Sequence, residues 1–295
     1  MFRYATSLSA RHGVLWVARW GPSWRVVPHD FDGRELSPGF VVPPENGTRA
    51  AIASIAVDED RRVWVVDTEA QRVRAFTAFG RELAGLPRGH GDRVGSIAEA
   101  VAVDASGVEA SAQLVIASSG ARRHALHLAR GESLAAVSLR PRDVAEGFAG
   151  LGRVAFGVRG LVYACEPSSG LVLAWREGEF HFAFRAPEGR APIAVRALDD
   201  GRMVVASAGD DGGAVHLVDA AGRLLRTLAR GGEGEGLVTD PEDLAVEFVA
   251  GSERRTRVVV ADAAGARLQV FNLEGDCYGA FGADADASER SAGSS

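Results

Sequence analysis

The chain has 295 residues, of which 46% are hydrophobic and 24% charged, and its formal net charge is −6. This composition is typical of a globular protein, and the acidic balance argues against a nucleic-acid partner, whose phosphates require a basic surface. All 33 basic residues are arginines, so the sequence excludes Schiff-base chemistry, a lysine-linked pyridoxal cofactor and the phosphate-binding lysine of a P-loop.

Targeting signals and disulfide patterns are both missing from the sequence. The N-terminal segment MFRYATSLSARHG holds no apolar run of signal-peptide length, and nowhere do 18 apolar residues follow one another. Secretion and membrane spanning are therefore unsupported, and we expect a cytoplasmic location without a membrane partner. Two cysteines, Cys165 and Cys277, are too few for a disulfide framework, which agrees with a reducing compartment.

One structural unit recurs along the whole chain. Six short hydrophobic segments with the same pattern lie 41 to 55 residues apart, and they centre on Trp16, Trp64, Val115, Tyr163, Val204 and Val259. Around each centre we expect four strands, named A to D, with the centre in strand B. Four antiparallel strands repeated at this period predict a radial array of small sheets. The predicted fold is therefore an all-β, six-bladed β-propeller of four-stranded antiparallel blades.

The predicted ring accounts for nearly all of the sequence. Strand A of the first unit begins near Tyr4 and strand D of the sixth ends near Phe281, so each blade is expected to be contiguous in sequence. We predict one propeller domain over residues 1–282. The remaining segment, residues 283–295, is short, small and polar, and we expect it to be disordered because it has little apolar area to bury.

Two units carry the motifs of a known repeat. The second unit reads IASIAVDEDRRVWVVDTEAQRVRAFTAFGREL, and the sixth combines GGEGEGLVTDPEDLAVEF with VVVADAAGARLQVF. These segments resemble the NHL-repeat family, while the other four units are degenerate. The resemblance implies a propeller that binds partners on one face.

A charged pair is expected to fasten the turn between strands B and C in the two best-preserved units. Asp67 and Asp262 end strand B, and Arg72 and Arg267 begin strand C five residues later. The spacing predicts a salt bridge within each turn. We interpret both aspartates as structural residues.

The connectors between blades and the B-to-C turns of a propeller lie on one face, around the mouth of the central channel. The sequence places six candidate ligand-binding residues there: Arg19, Trp20, Glu99, Arg153, Glu166 and Asp243. Exposed Trp beside Arg is typical of protein interaction sites and aromatic ligand platforms. Glu99, Glu166 and Asp243 come from three blades and are candidates to converge on a cation, but Arg153 would compete with it.

Two functions remain open at this stage. The first is a non-catalytic propeller that binds a protein, peptide or small ligand at the channel mouth. The alternative is a metal-dependent hydrolase or lyase, because the predicted six-bladed shape is shared by enzymes of the gluconolactonase, paraoxonase and amidating-lyase kinds. We assign no catalytic residue, metal or cofactor: the seven histidines are scattered, and Cys165 falls at a small, buried repeat position.

Overall fold

The computed structural model describes residues 4–45, 47–58, 60–70, 72–83, 98–104, 113–120, 123–130, 133–137 and 151–282. For residues 98–137 of this set, and for Tyr4, it describes the backbone alone. The predicted tail, residues 283–295, lies outside the described residues. Within the described residues, no helix is long and apolar enough to cross a bilayer.

Strands dominate the described chain, with two single-turn 3₁₀ segments beside them. The first two sheets contain β1 (Tyr4–Arg11), β2 (Val14–Trp20), β3 (Arg25–His29) and β4 (Phe40–Val41), then β5 (Ile52–Val57), β6 (Val63–Asp67), β7 (Arg72–Phe76) and β8 (Glu82–Leu83). The next two contain β9 (Ala98–Asp104), β10 (Gln113–Gly120), β11 (Arg123–Arg130) and β12 (Ser133–Val137), then β13 (Val154–Phe156), β14 (Leu161–Glu166), β15 (Leu171–Arg176) and β16 (Glu179–Arg185). The last two contain β17 (Ala191–Ala197), β18 (Met203–Gly209), β19 (Gly212–Val218), β20 (Leu224–Gly231) and β21 (Leu237–Val238), then β22 (Pro241–Glu247), β23 (Arg257–Asp262), β24 (Arg267–Phe271) and β25 (Cys277–Gly282).

Every described sheet is built from strands that are consecutive in the sequence. The first strand of each sheet contacts the first strand of the next, in the order β1, β5, β9, β13, β17, β22 and back to β1. These strands therefore line the axis of the array, and the later strands of each sheet lie farther out. Because none of the described strands is exchanged between sheets, contacts between side chains of neighbouring sheets must hold the array together.

The structure confirms an all-β propeller with four-stranded antiparallel blades. Five blades are described with their side chains, one fewer than the six that the repeat predicts, because the sheet of β9–β12 is described by its backbone alone. A second difference concerns the GGEGEGLV connector, which the sequence interprets as a loop. Part of it, β21, adds a short parallel strand to the outer edge of β20.

The hydrophobic core lies between the sheets, because successive side chains of a strand point to opposite faces. In β2, Val17 packs towards the sixth sheet with Val259 and Leu268, whereas Trp16 packs towards the second sheet with Val65. Similar clusters fill the gaps between the fourth and fifth sheets and between the fifth and sixth. A strand buried on both faces explains why the strand B segments are continuously hydrophobic.

A glycine in the turn between strands C and D makes a repeated contact between blades. Gly80 packs on Phe40, Gly222 on Phe184 and Gly33 on Phe281, in each case an aromatic residue of the preceding blade. All three glycines have positive φ, and a Cβ added to the glycine would lie 2.1 to 2.4 Å from the nearest side-chain atom of that aromatic residue. Glycine is required there both by backbone conformation and by close approach.

Replacing Gly222 by Ala is expected to destabilise the fold more than the backbone conformation alone requires. Gly251→Ala is the matched control, since Gly251 also has positive φ, but an added Cβ there would meet no described atom within 4 Å. Overpacking against Phe184 should lower the free energy of unfolding by about 1–3 kcal/mol beyond the loss in the control. Urea unfolding monitored by circular dichroism measures both losses, and equal losses would contradict this contact.

Candidate functional site at the channel mouth

A β-bulge recurs where the innermost strands reach the channel mouth. The pairing with strand B skips one residue in the first, second, third, fifth and sixth sheets. The skipped residues are Thr6, Ala53, Glu99, Ile193 and Glu242. A bulged residue is left out of the hydrogen-bond ladder, so its carbonyl can accept bonds from elsewhere. The bulges thus supply acceptors around the axis.

Asp243 follows one of these bulges and is completely buried. Its Oδ2 accepts hydrogen bonds from the Ser7 hydroxyl at 2.8 Å and from the Leu8 amide at 2.9 Å. Its Oδ1 accepts from the Leu244 amide at 2.8 Å and from Nη2 of Arg196 at 2.9 Å. A buried carboxylate is stable only when it is paired and hydrogen-bonded, and both oxygens of Asp243 meet that condition.

The same network extends to the second sheet. The Ser7 hydroxyl oxygen accepts a hydrogen bond from the Ile55 amide at 3.0 Å while it donates to Asp243. Ser9 repeats the arrangement one step along the strand, where its hydroxyl accepts from the Val57 amide at 3.1 Å. Asp243 therefore connects the sixth sheet to the first directly and to the second through one hydroxyl.

Arg153, from the fourth sheet, is held by the bulges of three other sheets. Its Nη1 donates to the Ala53 carbonyl at 2.5 Å, its Nη2 to the Thr6 carbonyl, and its Nε to the Glu242 carbonyl at 3.5 Å. The Nε also lies 3.7 Å from Oδ2 of Asp243. With 14% of its side chain exposed, the guanidinium is a cation fixed at the channel mouth.

Glu242 provides the other carboxylate of this region. Burial raises the pKa of its carboxyl above the usual value, and the positive charge of Arg153 opposes that rise. Because Glu242 and Glu99 are both bulged residues, they occupy equivalent positions in their sheets. The side chain of Glu99 is outside the described part of the chain.

The other predicted site residues with described side chains have contacts of their own. Arg19 is the penultimate residue of β2 and forms a salt bridge with Glu35 at 2.7 Å. Trp20 is half-buried, and its ring centroid lies 5.4 Å from that of Trp24. Glu166 is buried and accepts hydrogen bonds from the Ser168 hydroxyl and, at 2.7 Å, from the Ser169 amide. Glu166 thus stabilises the turn that follows its own strand.

The predicted convergence of Glu99, Glu166 and Asp243 on a cation finds no support, because Glu166 and Asp243 bind different groups. Among the residues with described side chains, no three His, Cys, Asp or Glu residues form a group that could hold a metal. Cys165 is fully buried, and burial raises the pKa of its thiol far above the usual value, as expected for an inert residue. Both cysteines are free.

One predicted salt bridge is present and the other is not. Arg267 contacts Asp262 at 3.0 Å, as the spacing predicts. Asp67 instead pairs with Arg74 at 2.9 Å. Arg72 binds Glu45 at 2.7 Å and Glu82 at 3.0 Å. The expectation for Arg72 was wrong because carboxylates from a preceding loop and from β8 compete for it, whereas Arg74, two residues along the same face, reaches Asp67.

The sequence interpretation missed Arg196 and Ser7. Arg196 lies in β17, three residues after the bulged Ile193. The equivalent residues of the second, fourth and sixth sheets are Ala56, Ala155 and Ala245. A charged residue at an inner position that holds only alanine or serine in the other sheets is a signal in the repeat alignment. Ser7 carries no such signal, since serine suits many strand positions.

The structure is similar to known propellers, at low sequence identity. It matches virginiamycin B lyase from Staphylococcus aureus with a TM-score of 0.62 and 10% identity, over 95% of this chain and 85% of the lyase. It matches the WD40 β-propeller domain of Doa1 with a TM-score of 0.63 and 13% identity, over 95% and 83%. The match to U3-55K has a TM-score of 0.60 and 15% identity, over 95% and 82%. At these identities the similarities show the propeller fold alone.

Sequence comparison does not add a family. No protein-family model matches the chain, and no curated protein matches it either. The resemblance to NHL repeats is therefore not confirmed.

Replacing Arg153 by Leu is expected to lower the free energy of unfolding by about 3 kcal/mol or more, because three carbonyls and Asp243 lose a buried partner. Arg223→Ala is the control, since Arg223 also pairs with an aspartate but its side chain is 82% exposed. That change should cost less than about 1 kcal/mol. Denaturant unfolding of both variants compares the losses, and a small loss for Arg153→Leu would show that the guanidinium is not structural.

Replacing Glu242 by Gln is expected to stabilise the protein at neutral pH. A carboxyl with a raised pKa in the folded state favours folding when protonated and opposes it as the pH rises through the unfolded and then the folded pKa. The gain in the variant should therefore be present near pH 7 and disappear at acidic pH. Melting temperatures across this range test the sign, and a variant that is less stable near pH 7 would contradict it.

Proposed function

We propose that this chain is a non-catalytic, NHL-like propeller that binds a protein or peptide on its channel-mouth face, near Trp20. The proposal includes the count of six blades, with the sheet of β9–β12 as the third blade of a closed ring. The contacts between successive innermost strands support the ring. The fixed guanidinium of Arg153 at the channel mouth is the observation that carries the non-catalytic assignment.

The channel mouth of this chain is already occupied by its own charges. A divalent cation there would meet the guanidinium of Arg153 and, beside it, that of Arg196. The four hydrogen bonds to Asp243 use the lone pairs that a metal would need. The carboxylate and the bulge carbonyls are therefore committed to joining the sheets.

The turn between β2 and β3 offers a surface suited to protein recognition. Trp20 and Trp24 are in contact, and Trp24 also packs against the core between the first and second sheets. This support keeps the half-buried Trp20 in a fixed orientation, and its neighbour Arg19 is fixed by Glu35. Tryptophan and arginine held in place are the residues most enriched at binding hot spots.

The alternative is a metal-dependent hydrolase or lyase. In its favour stands Glu242, the one carboxylate at the channel mouth, among the described side chains, whose pKa is raised. No specific observation supplies it with a nucleophile or a ligand set in the described residues. A cytoplasmic location and the lack of a nucleic-acid partner stay part of the proposal, supported by the free cysteines and by the acidic net charge.

Elemental analysis of the purified, folded protein tests the non-catalytic assignment. We expect less than stoichiometric calcium and zinc, and no rise in melting temperature when calcium chloride is added, because a ligand that binds the native state would stabilise it. A stoichiometric metal that resists dialysis, or a clear rise in melting temperature, would favour the enzyme instead.

Replacing Trp20 by Ser tests the binding surface. Affinity capture from an extract, quantified by mass spectrometry, compares the wild-type protein with Trp20→Ser and with Leu225→Ser, a control residue that is 52% exposed on β20. We expect proteins held by the wild type and by the control to be depleted about ten-fold on Trp20→Ser. Equal recovery on all three proteins would contradict a role for Trp20.

A further inference from the structure

A small groove lies between the first two blades on the face opposite the channel mouth. Trp16, Pro28 and Val57 contribute to its walls, and Leu36 and Phe79 line it farther out. Strand β1 runs from the channel mouth to the groove, so the groove is about 20 Å from Trp20 along the strand direction. It is therefore a separate surface from the one that contains Trp20.

The apolar side chains at this groove are unusually exposed. Phe79 is 95% exposed and Leu36 is 51% exposed. The turn that carries Phe79 is nevertheless well ordered by contacts, because Gly80 packs on Phe40 and the Thr77 amide bonds to the Arg81 carbonyl at 2.9 Å. Phe79 and Leu36 line the same groove, and exposed apolar side chains grouped around a groove are typical of an interaction site.

The volume of the groove indicates the size of its occupant. It encloses about 180 Å³, which is less than the roughly 300–1,000 Å³ typical of sites for cofactors and drug-sized ligands. The space is enough for one or two apolar side chains. This favours a segment of a partner protein over a free small molecule.

The charges around the groove are positive where the partner would enter. Arg11 and Arg61 line it. In the turn that carries Arg61, Asp58 and Asp60 both pair with the neighbouring Arg62, at 2.6 and 3.1 Å. Asp58 also accepts a hydrogen bond from the indole of Trp64 at 3.0 Å. The two described carboxylates of this turn are thus committed to Arg62, and among the described residues Arg61 forms no salt bridge with a carboxylate.

From these observations we infer that the groove between the first and second blades binds an extended segment of a partner protein that carries apolar side chains flanked by acidic residues. An apolar side chain of the partner fills the space beside Trp16 and Val57 and covers Phe79. A flanking carboxylate pairs with Arg61. This surface acts independently of the channel mouth.

Fluorescence anisotropy with labelled peptides tests the inference. The main probe is a ten-residue peptide with Leu-Phe between two Asp-Glu pairs. One comparison peptide replaces Leu-Phe by Ser-Ser, and the other replaces the acidic pairs by Arg pairs. We expect saturable binding of the main probe that weakens with added salt, and no saturation with either comparison peptide up to millimolar protein.

Matched variants of the whole chain locate the binding. Phe79→Ser should weaken binding about ten-fold or more, and Arg61→Asn should weaken it several-fold and reduce its salt dependence, since Asn tolerates the positive φ of that position. Leu225→Ser and Arg223→Ala serve as exposed apolar and basic controls and should leave binding unchanged.

Three results would overturn the inference. The first is the absence of saturable binding of the acidic apolar probe. The second is binding by the Phe79→Ser and Arg61→Asn variants that is as tight as binding by the wild type. The third is binding that these two variants retain and that Trp20→Ser loses. The last result would assign recognition of this peptide to the channel mouth. If the groove does not bind the probe, the proposal for the Trp20 surface is unaffected. If Trp20→Ser does not reduce capture, the proposal for the groove is unaffected.

Discussion

The buried carboxylate of Asp243 and the guanidinium of Arg153 together hold the centre of this propeller. In a radial array the innermost strands of neighbouring sheets lie side by side without pairing into one sheet, and a bulge at the channel mouth leaves some of their carbonyls without ladder partners. Arg153 binds three of these carbonyls, and Asp243 binds a hydroxyl, two amides and a second guanidinium. Counted by sheet, the contacts join the first, second, fourth, fifth and sixth. Polar groups that would be costly when unpaired thus become the connection between blades.

This arrangement constrains where function can reside. A channel mouth whose carboxylate and cation are committed to each other and to the backbone has little freedom to exchange partners with a ligand. The blade edges and turns are different, because their side chains are supported from behind by the cores between sheets and remain accessible in front. Trp20 on one face and Phe79 on the other are both of this kind, each fixed by an aromatic or glycine contact beneath it.

The sequence specifies the architecture because the repeat encodes burial. Strand B segments such as VWVVD read as continuously apolar since both faces pack between sheets, and their spacing gives one sheet per unit. Partner choice among charged residues is less predictable. The spacing of Asp67 and Arg72 is the same as that of Asp262 and Arg267, yet Asp67 pairs with Arg74 because Glu45 and Glu82 compete for Arg72. Such competition depends on residues distant in sequence.

The channel mouth illustrates the same limit. Arg153 and Asp243 could be placed there from their repeat positions, but their partners are backbone carbonyls released by bulges, which have no residue signature. Arg196 reaches Asp243 from a position occupied by alanine or serine in the other sheets, so it is visible in the sequence only as a departure from the repeat. The groove beside Phe79 arises from turns of two blades, and no single repeat predicts it.

Native-state hydrogen exchange tests the central claim most directly. The amides of Leu8, Ile55 and Leu244 each bond to Asp243 or to Ser7 at the axis. If this network joins the blades, these amides should exchange only through global unfolding, with one common free energy of opening equal to that of the whole protein. Exchange of the three amides at separate, lower free energies would show that the blades open one by one and would contradict the account.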